Sequence, residues 1–279
     1  MRLRLAILLP ALVAFVACVP RPALSFSCGA PSQSPEEAAE VQSAISSLSV
    51  DATAKAAPVS IPIAWHVITD NQGHGDLTAT QIQAWIDVLN KEYSKIGFSF
   101  RLSSTDRVAN SDWFYVKSLA DVTFKPMYDR LYRGDRRTLN VYTLNLREVP
   151  FLGWSTYPWG YPKDPKGDGI LIQHDFYPGS PDPRNNLGRV LIHEVGHWLG
   201  GLLHVFQGYS CTGPGDQVWD TPQQKVASKG CPARQDSCPA EPGLDNIHNY
   251  MDYVDDICME EFTPGQITRM KQVWAAFRA

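Results

Sequence analysis

The sequence predicts an α+β domain with an irregular, disulfide-stapled C-terminal part. Three observations predict it. Alternating apolar stretches mix with two helix-period stretches up to residue 203. A long segment bounded by cysteines and rich in Gly and Pro follows, and one amphipathic stretch closes the chain. Strands mixed with helices in this way build a twisted mixed sheet with helices packed on it. The 20 Gly and 21 Pro suggest long shaped loops, not a helix bundle. At 279 residues and 44% apolar the chain can hold one large or two small domains.

In order, the chain opens on a signal-type segment over residues 1–25. Arg2 and Arg4 are its basic part, Leu5 to Ala17 its apolar run, and Ala23-Leu24-Ser25 its small-residue cleavage site. The run is too short to span about 30 Å of hydrocarbon, so no stable membrane insertion is expected. Removing residues 1–25 takes away Arg2, Arg4 and Arg21 and moves the formal charge from −4 to −4 − 3 = −7. That balance argues against a nucleic-acid partner or a polybasic membrane surface. Residues 26–57 are rich in Ala, Ser and Pro and read as a poorly packed leader or pro-segment, with one helix over Pro35–Leu48. The folded domain is expected over 58–279.

Ile61, Ile63, Trp65 and Val67 alternate with Pro62, Ala64, His66 and Ile68, which predicts a strand covered on both faces. Ile82, Trp85, Ile86, Leu89 and Tyr93 recur at helical spacing, capped by Thr78 or Thr80 and ended by Gly97. Phe98–Leu102 and Asp112–Val116 read as further strands, and Tyr128–Leu131 as a short helix. Leu139–Leu146 is a strand, Val149–Gly169 a long loop, and Gly169–Asp175 another strand. A helix starting near Gly188 carries His193. Irregular chain then runs to about Asn249, and Thr263-Pro264 opens a last helix with the stripe Ile267, Met270, Val273, Trp274 and Phe277.

The chemistry concentrates in His193-Glu194-Val195-Gly196-His197. Histidines four apart on a helix are rotated by about 40° and rise about 6 Å, so both imidazoles leave one face. They can share one zinc at about 2.0–2.1 Å. Glu194 points to the side of that face, where it can serve as base to a metal-bound water. The surroundings (Val190, Leu191, Ile192, Trp198, Leu199) are apolar, and buried histidines flanking a buried glutamate are costly without a metal. Gly200-Gly201 breaks the helix, so His204 can return as a third ligand and leave the fourth position to water. Cys211, Cys231, Cys238 and Cys258 imply two disulfides with three possible pairings, since no C-x-x-C spacing suggests a zinc site. Cys28 stands alone.

The run His193–Leu199, the later Asn249-Tyr250-Met251-Asp252-Tyr253 and the four clustered cysteines resemble the metzincin zinc endopeptidases. Within that class they resemble the pappalysin family, with its fungal secreted metalloproteases and the microbial ulilysin. The likeness covers most of 59–279 and is strongest from Leu187 onward. It extends to a Cys-Gly element, Ser27-Cys28-Gly29-Ala30-Pro31. The resemblance implies a metzincin-like fold and a metalloprotease catalytic domain over 58–279. It implies His193 and His197 as zinc ligands, Glu194 as general base, Tyr253 as stabiliser of the oxyanion, and Met251 as the methionine of the turn beneath the metal. Asp256 corresponds to an acid at the base of the S1′ pocket, which would favour Lys or Arg after the cut. The pairing Cys211–Cys238 and Cys231–Cys258, a cysteine switch at Cys28, and calcium (Ca2+) at Asp216, Asp220 and Thr221 follow from the same likeness.

One departure stands out. The family pattern puts the third histidine six residues after the second, whereas His204 is seven after His197. A glycine pair can absorb the extra residue in a left-handed turn. If it does not, His174 and His248 are the other candidates, both expected not to ligate. The chain therefore reads as a secreted, extracellular endopeptidase with one zinc (Zn2+) per chain, acting on protein or peptide substrates laid along Gly169–Asp175. The rival is a secreted binding module of the same fold with a damaged zinc site. A zinc hydrolase that does not cut peptides is the third reading.

Overall fold

The computed structural model describes residues 27–48, 58–118 and 124–279. The signal-type segment and residues 49–57 lie outside the described residues. Helix α1 spans Pro35–Ser46, with Ser34 and Glu37 forming a capping box. Strand β1 (Val59–Thr69), helix α2 (Ala79–Tyr93) and strand β2 (Phe98–Ala109) follow. Thr78 caps α2 in a second capping box with Gln81. Then come the one-turn helix α3 (Ser111–Phe114), α4 (Phe124–Leu131), and strands β3 (Leu139–Leu144), β4 (Gly153–Ser155) and β5 (Ile170–Gln173). Helix α5 (Arg189–Gly200) carries the histidine motif. Helix α6 (Pro264–Val273) starts at Thr263, which shares a third capping box with Gln266.

The sheet order is β2-β1-β3-β5-β4. Only β4 runs antiparallel to its neighbour, so the sheet is mixed. Both faces of β1 are covered, because its alternate residues serve two cores. Ile61, Ile63, Trp65 and Val67 pack with Ile82, Trp85, Leu89 and Tyr93 of α2 and with Leu191, Val195 and Trp198 of α5. Ile68 turns to the opposite core with Phe114, Met127, Leu131 and Tyr142. The Tyr93 hydroxyl donates to the Ile192 carbonyl at 2.9 Å and ties α2 to α5.

Several elements differ from the sequence reading. Asp112–Val116 is not a strand: Asn110 accepts from the N–H groups of Asp112 and Trp113, which starts α3, and only Tyr115 bridges to Asn145. Strand β2 continues past Leu102 to Ala109 because β1 pairs with it along its whole length. The loop 149–169 contains β4, which takes the sheet edge and leaves β5 inside. Gly169–Asp175, the strand expected to take the substrate, is therefore not at the edge; Gly153–Ser155 is. Residues 27–48, expected to pack poorly, are held against the domain instead. Val41 is buried against Tyr157, Trp159, Leu203 and Val273, with Ile45 beside it, and Lys163 pairs with Glu37.

The irregular C-terminal part holds two disulfides, Cys211–Cys238 and Cys231–Cys258, with Cα separations of 5.4 and 5.8 Å. No helix among the described residues is long and apolar enough to cross a membrane.

Candidate metal centre

The α5 helix is buried along its length, so its motif residues face protein on every side. Gly201 ends the helix in the left-handed region at φ 52°. That turn absorbs the extra residue and aims the Leu202 carbonyl at His197 Nδ1, 2.6 Å away. His193 Nδ1 lies 2.7 Å from the Tyr250 carbonyl. A carbonyl only accepts, so each Nδ1 carries the proton and each Nε2 presents its lone pair. His197 Nε2 lies 3.1 Å from His193 Nε2 and 3.2 Å from His204 Nε2. Tetrahedral ligands at about 2.05 Å from one ion would stand about 3.3 Å apart. The donor set fits a metal cation: lone pairs crowd one point, and burial keeps the rings neutral. Burial, then His197, hold His193 well below the ordinary imidazole value; burial likewise lowers His204, and brings His197 to about 4.

Cys28 completes the cluster. Its sulfur and the three histidine nitrogens all lie within 4.8 Å of one another, and His174 and His248 fall outside the group. The segment around Cys28 lies beside β4 through a single parallel bridge, Cys28 to Gly153. Gly29 N–H donates to the Gly153 carbonyl and Leu152 N–H to the Ser27 carbonyl, both at 2.9 Å. The Cys28 thiol donates to Glu194 Oε2 at 3.4 Å, and burial followed by that carboxylate pushes the thiol's pKa well up.

Glu194 is buried, with Oε1 lacking a protein partner, and burial raises its pKa to about 8. A Cβ on Gly153 would collide with its carboxylate, so a glycine lets the edge strand approach. The Tyr253 hydroxyl donates to the Cys28 carbonyl at 3.0 Å and lies 3.2 Å from His204 Nε2. Met251 is buried beneath α5, where a Cβ on Gly196 would strike its sulfur.

The remaining residues sit farther out. Asp256 Oδ2 accepts from Leu187 N–H at 2.8 Å and Arg189 N–H at 3.4 Å, at the start of α5, where Gly188 offers no side chain. Its Oδ1 has no protein partner, and burial raises the carboxyl to about 6. Thr221 donates to Asp216 Oδ1 at 2.7 Å, while Asp216 Oδ2 is buried without a partner. Asp220 is drawn away to the start of α6, accepting from Thr263 Oγ1 and Gly265 N–H. Sequence reasoning missed Gly153, Tyr157 and Phe206. Tyr157 stands edge-on to His197 at 5.5 Å and Phe206 stacks on His204 at 5.0 Å. Phe206, two residues past His204, was the one with a positional signal.

Relatives share this architecture. The family profile Peptidase_M43, described as pregnancy-associated plasma protein-A, matches residues 137–275. An extracellular metalloprotease of Pyricularia oryzae is 40% identical over 263 residues, spanning 91% of this chain and 90% of that protein. One from Podospora anserina is 37% identical over 297 residues, spanning 100% and 99%. Among solved structures, a promirolysin mutant of Tannerella forsythia matches with a TM-score of 0.73 and 26% identity, over 86% of this chain and 87% of that one. Mature mirolysin with a cleaved peptide matches at 0.64 and 28% identity, over 77% and 91%. Near-complete coverage at such identity makes this chain a metalloendopeptidase that belongs to the Peptidase_M43 family.

Proposed function

We propose that this protein is a secreted zinc endopeptidase with His193, His197 and His204 as its zinc ligands. The observation that carries this is the convergence of three Nε2 atoms, two of them oriented by Nδ1–H bonds to the Tyr250 and Leu202 carbonyls. When bound, the ion supplies Lewis acidity, polarising a scissile carbonyl and lowering the pKa of a water. Glu194 takes the proton from the attacking water and returns one to the departing amine. Tyr253 donates to the oxyanion of the tetrahedral intermediate; its bond to the Cys28 carbonyl is a stand-in for that contact. Met251 supports the ligands by packing. An extended substrate adds to the sheet at β4, where the leader now pairs.

The leader acts as a pro-segment, and Cys28 would keep the enzyme latent by giving up its proton and taking the open position on the ion as a thiolate, in the place of the attacking water. Its cleft position supports this, as does the wider match to the promirolysin mutant than to mature mirolysin. Secretion is supported by the signal-type N-terminus and by relatives named extracellular. Calcium goes to the Asp216–Thr221 loop, where a buried carboxylate oxygen lacks a partner and hard oxygen ligands suit that ion. Asp220 holds the loop against α6. Asp256 carries a P1′ preference for Lys or Arg through its unpartnered Oδ1.

The binding-module reading loses its motive, because His204 reaches the other two imidazoles. Metal analysis of purified protein tests the ion, with about one zinc per chain expected. Glu194→Ala should keep that zinc and lose at least ~10³-fold in peptide hydrolysis. Near-normal proteolysis in this variant would sink the mechanism.

A further inference from the structure

The segment leaving His204 carries a residue that the reaction does not use. Tyr209 is one of two non-glycine residues with a left-handed backbone among the described residues, at φ 49°. Glycine occupies that region without steric cost, and a bulky residue held there is a pointer to function. The side chain is 70% exposed, so it contributes little to the core. Yet the turn holds it close to the centre. Tyr209 N–H donates to the Phe206 carbonyl at 3.0 Å, and the two rings are 5.6 Å apart. Phe206 in turn stacks on His204 at 5.0 Å and stands edge-on to Tyr253 at 4.8 Å.

Residues 28–33 of the chain run past this turn. Gly208 and Ser210, on either side of Tyr209, line a groove of about 670 Å³ with Leu203, Gln207 and the leader residues Gln33 and Ala38. The leader reaches that groove directly from the metal centre: the Cys28 carbonyl bonds to Tyr253, and five residues later Gln33 Oε1 accepts from Gln217 Nε2 at 2.7 Å. Residues 28–33 therefore trace a way out of the cleft beside the 208–210 turn.

We propose that Tyr209 is a specificity-determining residue for the endopeptidase reaction. Its exposed ring, packed on Phe206 next to His204 and Tyr253, stands beside the way out that leader residues 30–33 trace and covers an apolar side chain of the substrate there. The aromatic face supplies the contact, and the left-handed backbone aims it. The inference rests on the endopeptidase reading.

The test uses the activated protein as wild type, Tyr209→Ala, Tyr209→Gly and Tyr209→Phe. Peptide sets carry either Leu or Gly at each position flanking the cut. For peptides with Leu at the covered position, Tyr209→Ala and Tyr209→Gly should raise KM about tenfold with kcat little changed, the size expected for one apolar contact. Peptides with Gly there should be cut equally by all four proteins. Tyr209→Phe should behave as wild type, and Tyr209→Gly should melt no lower than wild type. Equal KM for Leu and Gly peptides in every variant would overturn the proposal. So would a uniform loss on all peptides with a lowered Tm, which marks a structural role. A wild type that cuts no peptide fails the parent reading and this one together, whereas failure of Tyr209 alone leaves an active, unselective wild type.

Discussion

Asp216 shows how one buried carboxylate ties stability to pH and to a cation. Burial pushes its carboxyl up to about 7, although Thr221 and the Val218 N–H both donate to it. Because the folded value is raised, the stability it contributes is complete below the ordinary carboxylate value and is lost as pH rises through about 7. The gap between about 4 and about 7 corresponds to roughly 4 kcal/mol. A calcium ion on Oδ2 would reverse the sign by favouring the charged form. In chelator, Asp216→Asn should therefore melt above wild type at about pH 8 and level with it at about pH 4. Added calcium should raise the Tm of wild type at the higher pH and leave the variant unmoved. A wild type indifferent to calcium there would remove the calcium assignment. The sequence showed Asp216 as an acid in a cysteine-bounded loop. Its burial and the opposing charge of Arg269 both come from distant parts of the chain, and no local pattern reports them.

Helix α5 is legible in the sequence through its apolar surroundings and its histidine spacing, and its ends are legible as Gly188 and Gly201. What satisfies those ends is not. The start is completed by Asp256, which lies 67 residues away from Arg189 in sequence. The end works through a backbone angle, and the place of His204 beside His197 is understood only once φ 52° at Gly201 is known. A Cβ at Gly201 would collide with the Trp159 ring, besides the cost of about 1–2 kcal/mol for an L-residue in that region. Gly201→Ala should thus lower Tm. By moving the Leu202 carbonyl from His197 it should also weaken zinc by about 10- to 100-fold, as loss of a ligand's supporting hydrogen bond does. Chelator competition reads the affinity, and an unchanged value would show that this turn does not orient His197. Strand β4 escaped the sequence reading for a different reason. Three residues of Gly, Trp and Ser give too few alternations to register, yet they form the edge beside Glu194.

At the scale of the whole molecule, distant segments meet on a buried ion pair that no sequence pattern announces, because Arg278 and Asp168 are 110 residues apart. The guanidinium donates to both Asp168 oxygens at 3.0 Å. It also donates to the Trp198 and Arg136 carbonyls at 2.8 Å, and its carbon lies 3.7 Å from the centre of the Trp198 ring. Asp168 accepts in addition from Trp198 Nε1 at 2.9 Å and Thr156 Oγ1 at 2.8 Å. One pair thus joins the loop between β4 and β5, the metal helix and the segment after α6. Both side chains are essentially unexposed, so desolvation offsets much of their attraction, and removing one partner leaves the other charge stranded. Arg278→Met should cost about 3–5 kcal/mol in urea unfolding. Adding Asp168→Leu to it should recover a good part of that loss, since no buried charge then remains, although Trp198 and Thr156 would lose an acceptor. A double variant as unstable as the single one would place the cost in the packing around Trp198. A single variant within about 1 kcal/mol of wild type would mean these segments are held by the apolar core alone, through contacts such as Trp274 on Trp198 and Phe98.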